Sequence, residues 1–589
     1  MRVQGCKSCR ESRGQRPFAG CGAAPHCFLF LFNPEGNLLW NRNKIKKLKK
    51  IAKEIAVLFS CAATVWLGGV VTVEAKDKII YVPIDNRPVN MEQVMDVAQR
   101  AGYDIVVPPL EIVGSWNQYG DPERMWDWVR QEAPTAKAAV LSTDSLLYGS
   151  LVGSRLSEET TDTIMERARK FEQLRKDFPR LPIYALGTIR RTPSYNVSDG
   201  VEPTYYGTYG ARIFRYTALK DKESMGLASG RELREMKKLE ADIPAEYLDD
   251  WFAKRERNYR ANQYFVDLTW QGAFNYFLLG CDDSAPFSRT HMESRYLAER
   301  GKDIGKTKFI VASGADELGM LMVARAINDM RRDIPLVYVE YNEGKGSETI
   351  PSYSNDNIKD DVDAAITAMG GIVTNAPERA ELVVAVHTNH NGTTMEASSP
   401  KNTKRLRGSV KHFTETVKDM LNKGYPVGVA DIATSNGSDN SLMEQLRKDD
   451  LLFKLRAYGG WNTATNTTGF LIGSGVLTRF MEQDDIYALL MTRYLDDWVY
   501  QANDRQILAS MLPELPGEMD ANRLGGKWGA ANLANNELAR QFMQENLRLP
   551  EGYVYRHLKM WLPWNRLFEC NPQVTLYTEA ELARIKAME

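Results

Sequence analysis

The sequence predicts an α/β protein with mostly parallel strands and a helical C-terminal region. Short apolar runs without polar alternation recur from residue 78 onward, as in strands that are buried on both faces. Amphipathic stretches separate these runs, and strand-helix alternation favours parallel strands joined by right-handed crossovers. The 589 residues exceed the size of one ordinary domain. The pattern leaves open whether the strands form a barrel-like sheet or two doubly wound units.

Nine apolar runs are predicted to be strands. They are Lys78–Ile84, Asp104–Val107, Ala138–Leu141, Ile183–Leu186, Tyr276–Leu279, Lys308–Ala312, Leu336–Glu340, Leu382–Val386 and Val427–Ala430. The amphipathic stretches between them are predicted to be helices. They are Met91–Ala101, Pro122–Glu132, Glu158–Lys176, Leu318–Arg331, Asp360–Met369 and Val410–Asn422. A further long amphipathic helix is predicted over residues 484–512.

The alternation is interrupted once, by residues 195–262, which are rich in Tyr, Arg and charge and indicate a helical insertion. We predict a first α/β domain at residues 76–332 that contains this insertion. A second α/β unit follows at residues 333–483, and residues 484–589 form a helix-rich C-terminal region.

Residues 44–75 have a basic start, an apolar stretch and a small-residue end, as in a secretory signal peptide. We assign the signal peptide to residues 39–75, which predicts a secreted or cell-envelope protein. An uncleaved anchor is the alternative, because the apolar run Ile55–Val73 is just long enough to cross a bilayer. Residues 1–38 are interpreted as a non-native extension from an over-long gene model.

Charge and motif content exclude two classes of protein. Lys and Arg number 75 and Asp and Glu number 76, so no strong positive field is present to bind nucleic acid. The chain has no P-loop motif and no G-x-G-x-x-G after its first strand, which argues against nucleotide and dinucleotide cofactors. We expect no cofactor and no nucleic-acid partner, and membrane contact only through the signal or anchor segment.

Polar residues follow most of the predicted strands, at the edge where parallel α/β sheets bind ligands. The carboxyl ends of parallel strands share one edge, so these side chains are expected to form one polar site. The candidates for substrate binding at strand ends are Asp85, Asn86, Arg87, Asp144, Arg190, His387, His390 and Asp431.

Two acidic pairs, Asp282-Asp283 and Asp316-Glu317, directly follow predicted strands. Close carboxylates push their pKa values apart and can supply an acid and a base near neutral pH, so we predict these four residues to be catalytic. Adjacent acids at strand ends are similar to those of the substrate-assisted N-acetylhexosaminidases. The alternative interpretations are a turn at Asp282-Asp283 and a helix cap at Asp316-Glu317.

Aromatic and amide residues in loops favour a glycan or another polar small-molecule substrate. Trp461 and Asn462 lie in the loop GGWNTATN at residues 459–466. Aromatic rings offer flat apolar faces, and Asn and Thr side chains match hydroxyl groups. The alternative is a polar loop that packs on itself.

His387 and His390 have i, i+3 spacing after a strand, without the helix and the Glu of H-E-x-x-H zinc sites. Metal ligation with Asp431 or Asp85 is the alternative to hydrogen bonding with a polar ligand. The leading hypothesis includes no metal.

Four motifs in order resemble a bacterial family classed only as a domain of unknown function. They are YVPIDNRPVN at 81–90, DDSAP at 282–286, GADE at 314–317 and GWNTATNT at 460–467. The resemblance covers about residues 78–512 and implies a secreted or envelope protein, with no established activity.

The leading hypothesis is a secreted hydrolase that acts on glycans through glycosidase-like acid/base chemistry. One alternative is a metal-dependent hydrolase that uses Asp85, Asp282, His387 and His390. The other alternative is a non-catalytic glycan-binding or sensory envelope protein.

Overall fold

A computed structural model describes residues 76–588, except Asn117, Asp199, Ala521 and Asn522. The extension and the signal peptide predicted for residues 1–75 lie outside the described residues. No helix in the described part of the chain combines the length and the apolar composition that a membrane span requires.

The first half of the chain forms a six-stranded sheet in which every neighbouring pair is parallel. Its strands are β1 (Lys78–Val82), β2 (Asp104–Val106), β3 (Ala138–Ser142), β4 (Ile183–Ile189), β5 (Tyr276–Cys281) and β6 (Phe309–Ser313). The order across the sheet is β2-β1-β3-β4-β5-β6, so the direction of winding reverses between β1 and β3. Ligands of doubly wound folds bind at this kind of reversal.

The second half adds seven strands. They are β7 (Leu336–Tyr341), β8 (Ile372–Val373), β9 (Leu382–His387), β10 (Met395–Glu396), β11 (Val427–Asp431), β12 (Thr434–Ser435) and β13 (Ala457–Gly459). Five of them form a second parallel sheet in the order β8-β7-β9-β11-β13, with its reversal between β7 and β9. Both sheets are open and doubly wound, so of the two predicted alternatives the structure has two doubly wound units and no barrel-like sheet.

Helices cover both faces of the first sheet. The helices before the second sheet are α1 (Glu92–Arg100), α2 (Pro122–Glu132), α3 (Thr143–Tyr148), α4 (Leu151–Leu156), α5 (Thr161–Asp177), α6 (Tyr206–Ser224), α7 (Gly230–Asp242), α8 (Ala245–Trp270), α9 (Arg289–Arg300) and α10 (Leu318–Arg331). Helices α6 to α8 occupy most of the predicted insertion and continue to Trp270, eight residues beyond its predicted end.

The later helices surround the second sheet and build the C-terminal region. They are α11 (Ile358–Ala368), α12 (Gly408–Asn422), α13 (Asn440–Lys448), α14 (Ala464–Leu477), α15 (Gln483–Arg493), α16 (Arg505–Met511), α17 (Trp528–Asn546) and α18 (Glu579–Met588). A π-helical segment, Tyr494–Asp504, joins α15 to α16 and is almost entirely buried. The helix predicted over 484–512 therefore exists, but its middle is a buried π-helix and has no solvent face.

The two sheets share one apolar layer, built mainly by α10 and α14. All fourteen residues of α14 are buried, and the shared cluster includes Tyr81 of β1, Met320 of α10 and Val384 of β9. Gly473 allows α14 to approach α10 closely, since a Cβ there would lie 3.0 Å from the Met320 Cγ. The opposite face of the first sheet packs on α2, α5 and α8 through a second apolar cluster.

The C-terminal region also contains a two-stranded antiparallel ribbon that the sequence analysis missed. Its strands are β14 (Tyr553–Trp561) and β15 (Asn571–Thr578). In β14, exposed and half-buried residues do not alternate regularly, so the period-2 pattern of a strand is absent. The connector between the two strands, residues 562–570, reaches the carboxyl edge of the first sheet.

Gly280→Ala is expected to lower the free energy of unfolding by about 1–3 kcal/mol through overpacking. A Cβ at Gly280 in β5 would lie 2.3 Å from the Gly314 carbonyl oxygen. The matched control is Gly408→Ala at the start of α12, where a Cβ meets nothing within 4 Å. Urea unfolding of the three proteins tests the prediction, and equal midpoints for the two variants would contradict it.

Candidate functional site

A cavity of about 240 Å³ lies where the carboxyl ends of both sheets and the ribbon connector meet. The first sheet contributes residues that follow β1, β4, β5 and β6, and the loops of the second sheet contribute amides. The lining residues are Arg87, Leu151, Val152, Arg155, Arg191, Tyr195, Val197, Val201, Asp282, Asp283, Gly314, Ala315, Asp316, Tyr353, Asn436, Asn462, Thr463, Thr465, Asn466, Trp564, Arg566 and Phe568. The predicted edge therefore does hold a cavity.

Backbone strain is concentrated around this cavity. Of the nine non-glycine residues with positive φ in the described part of the chain, five line it. They are Asp283 (38°), Tyr353 (70°), Asn436 (57°), Asn462 (62°) and Trp564 (55°). Such conformations cost on the order of 1–3 kcal/mol each and are concentrated at ligand sites. The clustering is independent support for a functional site here.

Arg87 sits between two buried carboxylates at one end of the cavity. Its Nη1 lies 3.0 Å from Asp316 Oδ2, and its Nε lies 3.1 Å from Asp85 Oδ1. Asn90 Nδ2 donates to Asp85 Oδ1 at 2.8 Å, and Asn462 Nδ2 donates to Asp316 Oδ2 at 3.2 Å. Both oxygens of Asp316 already accept from Arg87, so this carboxylate is bound by protein donors and is poorly placed to act as a base.

Asp282 and Asp283 lie in the same cavity, in two different environments. Asp282 Oδ2 accepts from the Arg155 guanidinium. Asp283 Oδ2 accepts from Arg191 Nη1 at 3.0 Å, and its side chain is 26% exposed. Burial raises the pKa of Asp283 and so does the charge of Asp282, against the opposing effect of Arg191. Asp283 is thus the carboxyl group that is both open to the cavity and inclined to hold a proton.

The second acidic pair is divided. Asp316 lines the cavity, whereas Glu317 does not and accepts from the Ala315 backbone N–H at 3.2 Å. Burial raises the pKa of Glu317 to about 8. Gly469 of α14 leaves room for this side chain, since a Cβ there would lie 2.5 Å from the Glu317 Cγ. Glu317 therefore belongs to the packing between α10 and α14.

Several predicted binding residues lie behind the cavity wall and support it. Asp144 accepts from the Thr188 backbone N–H at 2.9 Å, and burial raises the pKa of Asp144 to about 7. Arg190 Nη2 donates to the Arg155 carbonyl oxygen at 3.0 Å, and burial lowers the pKa of Arg190 to about 10. Asn86 Oδ1 accepts from Trp564 Nε1 at 2.7 Å, which fixes the ribbon connector.

Trp461 also lies outside the lining. It is buried and packs on Phe568, with 6.2 Å between the ring centroids. Its neighbour Asn462 does line the cavity, with the positive φ given above. The loop at residues 459–466 therefore contributes amides and hydroxyls to the cavity and uses its indole for packing.

The four residues of the metal hypothesis are not brought together. Asp85 is held by Arg87 and Asp282 by Arg155. His387 instead lies with Asp431 and Asp439, all buried, with one donor atom of each within 4.8 Å of the others. The His390 backbone carbonyl accepts from the Lys345 N–H at 2.9 Å, and His390 is not part of that group.

Both ring nitrogens of His387 have hydrogen-bond partners. Asn342 Nδ2 lies 3.2 Å from His387 Nδ1 and also donates to the Thr388 carbonyl at 3.1 Å, so it faces Nδ1 as a donor. With Nδ1 accepting, the proton of the neutral ring is on Nε2, which lies 3.1 Å from Asp439 Oδ2. In this tautomer Nε2 donates to Asp439, and a metal at Nε2 would have to displace that proton.

His387→Gln is expected to change the pH dependence of stability. Burial lowers the pKa of His387 to about 4. Between pH 4 and the ordinary histidine pKa of about 6.5, the unfolded wild type binds more protons than the folded wild type. The wild type therefore loses stability as the pH falls from about 6.5 to 4. The stability difference between wild type and variant should therefore shrink by roughly 2–3 kcal/mol over that window.

Unfolding free energies at pH 7, 5.5 and 4 measure this difference. The matched control is His412→Gln, which removes an exposed imidazole from α12. A difference between wild type and His387→Gln that stays constant with pH would contradict the prediction.

Comparison with known families gives one match. The family described as "Protein of unknown function (DUF4127)" matches residues 79–573. The chain belongs to this family. The predicted membership in a family of unknown function is thereby confirmed, and the DUF4127 region extends some sixty residues beyond the predicted end at 512. No curated protein matches the sequence.

Every residue that lines the cavity lies within the DUF4127 region. Five of them were predicted from the sequence: Arg87, Asp282, Asp283, Asp316 and Asn462. Arg155, Asn436, Trp564 and Phe568 were not. Arg155 lies on α4, one helix beyond the residues that follow β3, and Trp564 and Phe568 lie in the ribbon connector. Neither position directly follows a strand of the sheets, so the strand-end rule could not select them.

Proposed function

We propose that the protein is a cell-envelope or secreted hydrolase that cleaves glycosidic bonds in the cavity. The observation that carries this proposal is the Asp282-Asp283 pair, two adjacent carboxyl groups held in different environments at the end of β5. Asp282 is oriented by Arg155, and Asp283 is strained, partly exposed and raised in pKa. Pairs of carboxyl groups whose environments separate their pKa values are typical of glycoside hydrolysis.

In this proposal Asp283 is the general acid and base. Its proton passes to the glycosidic oxygen as the bond from that oxygen to the anomeric carbon breaks. The resulting carboxylate then takes a proton from the water that attacks the anomeric carbon, which restores the acid. Arg191 holds Oδ2 at 3.0 Å, and in this proposal Oδ1 exchanges the proton with the substrate.

Asp282 is proposed to orient the substrate. For an amino-sugar substrate, the acetamido N–H would donate to Asp282 while the acetamido oxygen attacks the anomeric carbon, as in substrate-assisted hydrolysis. This role needs a carboxylate with a fixed position. The Arg155 guanidinium donates to Asp282 and holds it in place, because the Arg155 side chain is itself buried.

The rest of the lining suits a sugar ring. Tyr195, Tyr353, Trp564 and Phe568 provide aromatic faces, and the amides of the loops from the second sheet provide hydrogen bonds. Sugars present apolar C–H faces and polar rims, which match this combination. Arg87 and Asp316 neutralise each other and define the far end of the cavity.

Hydrolysis of a panel of chromogenic glycosides and purified cell-wall glycan tests the proposal, with N-acetylated amino sugars included. We expect release by the wild type, with kcat/KM falling as pH rises through the raised pKa of Asp283, because the acid must be protonated. Glycan binding without release on any substrate would contradict the proposal and favour a non-catalytic glycan-binding protein.

A further inference from the structure

A second cavity, of about 390 Å³, lies between α1, α14, α15 and the ribbon strand β15. It shares no lining residue with the candidate active site. Its volume falls within the range of about 300–1,000 Å³ that is usual for small-molecule sites.

The cavity contains one charge of each sign without an ionic partner. Arg456 lines it half-buried, and its side chain makes no hydrogen bond, ion pair or ring contact within the part of the chain that the structure describes. Glu92 lines it as well and contacts Asn571, with no Lys or Arg as an ionic partner among the described residues. The other Asp and Arg residues of the lining have ionic partners. Arg100, for example, pairs with Asp96 and Asp485.

Buried polar atoms of two lining residues also lack a partner among the described residues. Gln93 is only 7% exposed, and no donor reaches its Oε1. Arg493 is 8% exposed, and no acceptor reaches its Nε, although its Nη2 pairs with Asp496. A buried acceptor or donor without a partner costs about 1–3 kcal/mol, which a ligand of complementary polarity would recover.

Part of the remaining wall is apolar. Val97, Phe470, Leu489 and Val574 line it and can receive a hydrocarbon group. A fitting ligand therefore carries an anionic group for Arg456, an N–H donor with positive charge for Gln93 and Glu92, and an apolar side chain. The two charged groups make such a ligand a zwitterion, and the third group gives it an apolar side chain.

We propose that this second cavity binds a free α-amino acid with an apolar side chain. The carboxylate pairs with Arg456, and the ammonium donates to Gln93 Oε1 beside Glu92. The side chain packs on Val97 and Phe470. Arg can bind a carboxylate with two parallel hydrogen bonds, which fixes the orientation of the ligand.

Calorimetric titration of the full chain tests this proposal, with L-leucine, L-phenylalanine, isovalerate and isopentylamine as probes. We expect the two amino acids to bind at least tenfold more tightly than the acid or the amine alone. Arg456→Gln should weaken leucine binding tenfold or more. Arg456 has no structural partner, so this variant is expected to fold. Arg379→Gln, at an exposed position away from the cavity, should leave binding unchanged.

Gln93→Met gives a second, independent readout. It should weaken leucine binding several-fold and leave isovalerate unaffected, since only the ammonium uses Gln93. The absence of binding by both amino acids overturns the proposal. Leucine binding that survives Arg456→Gln overturns the assigned cavity, and isovalerate binding equal to that of leucine overturns the amino-acid class.

Discussion

Asp283→Asn is expected to lower kcat/KM for an unactivated glycan by about 10²–10⁴-fold, the usual contribution of a general acid. The change keeps the shape of the side chain and its contact with Arg191, so it removes the transferable proton and little else. The loss should depend on the leaving group. Aryl glycosides whose phenols leave without protonation should lose far less activity than glycans.

Kinetics on a series of aryl glycosides measure this dependence. The matched control is Glu317→Gln, which makes the same acid-to-amide change one strand away. Glu317 does not line the cavity, and its raised pKa of about 8 keeps it protonated at neutral pH, so a neutral amide should replace it with little effect on kcat/KM. An equal loss for every leaving group would mean that Asp283 positions the substrate and transfers no proton. A large loss of kcat/KM in Glu317→Gln would mean that the catalytic pair is Asp316-Glu317.

The placement of the site at the carboxyl edge could be predicted from the sequence because it follows from topology. Buried parallel strands produce continuous apolar runs, and the residues after them must meet at one edge. Arg87, Asp282, Asp283 and Asp316 were found in this way. The same rule gave Asp144 and Arg190, which are at that edge but turn into the protein interior.

The direction of each side chain at the edge could not be predicted. Asp316 and Glu317 are adjacent, yet one lines the cavity and the other packs against Gly469. Their directions depend on how the turn enters α10 and on the close approach of α14, some 150 residues later in the chain. The contact of Asn86 with Trp564 joins residues 478 positions apart and depends on a ribbon that has no strand periodicity. Contacts of this kind come from tertiary packing and leave no local signal in the sequence.

Arg87→Met is expected to lower the free energy of unfolding at pH 7 by about 3–5 kcal/mol, the usual result of removing one partner from a buried ion network. Asp85 is fully buried and Asp316 nearly so, and Arg87 is the cation that both carboxylates contact. Without it, two buried like charges remain side by side with no cation between them. Arg87 also lies over the Trp564 ring at 5.1 Å, so the ribbon connector loses a contact as well.

The sign of the pH dependence distinguishes this electrostatic cause from a simple loss of packing. Burial already raises the pKa of Asp316, and loss of Arg87 raises it further, so the deficit is present at neutral pH and shrinks as pH falls through the raised value. Urea unfolding at pH 7 and pH 5 measures the change. The matched control is Arg100→Met, which removes an arginine from the partly exposed pairs with Asp96 and Asp485 and should lose less than about 1 kcal/mol. A deficit in Arg87→Met that is the same at both pH values would mean that Arg87 acts through packing, and the view of Arg87 as the cation that stabilises Asp85 and Asp316 in the cavity wall would then be wrong.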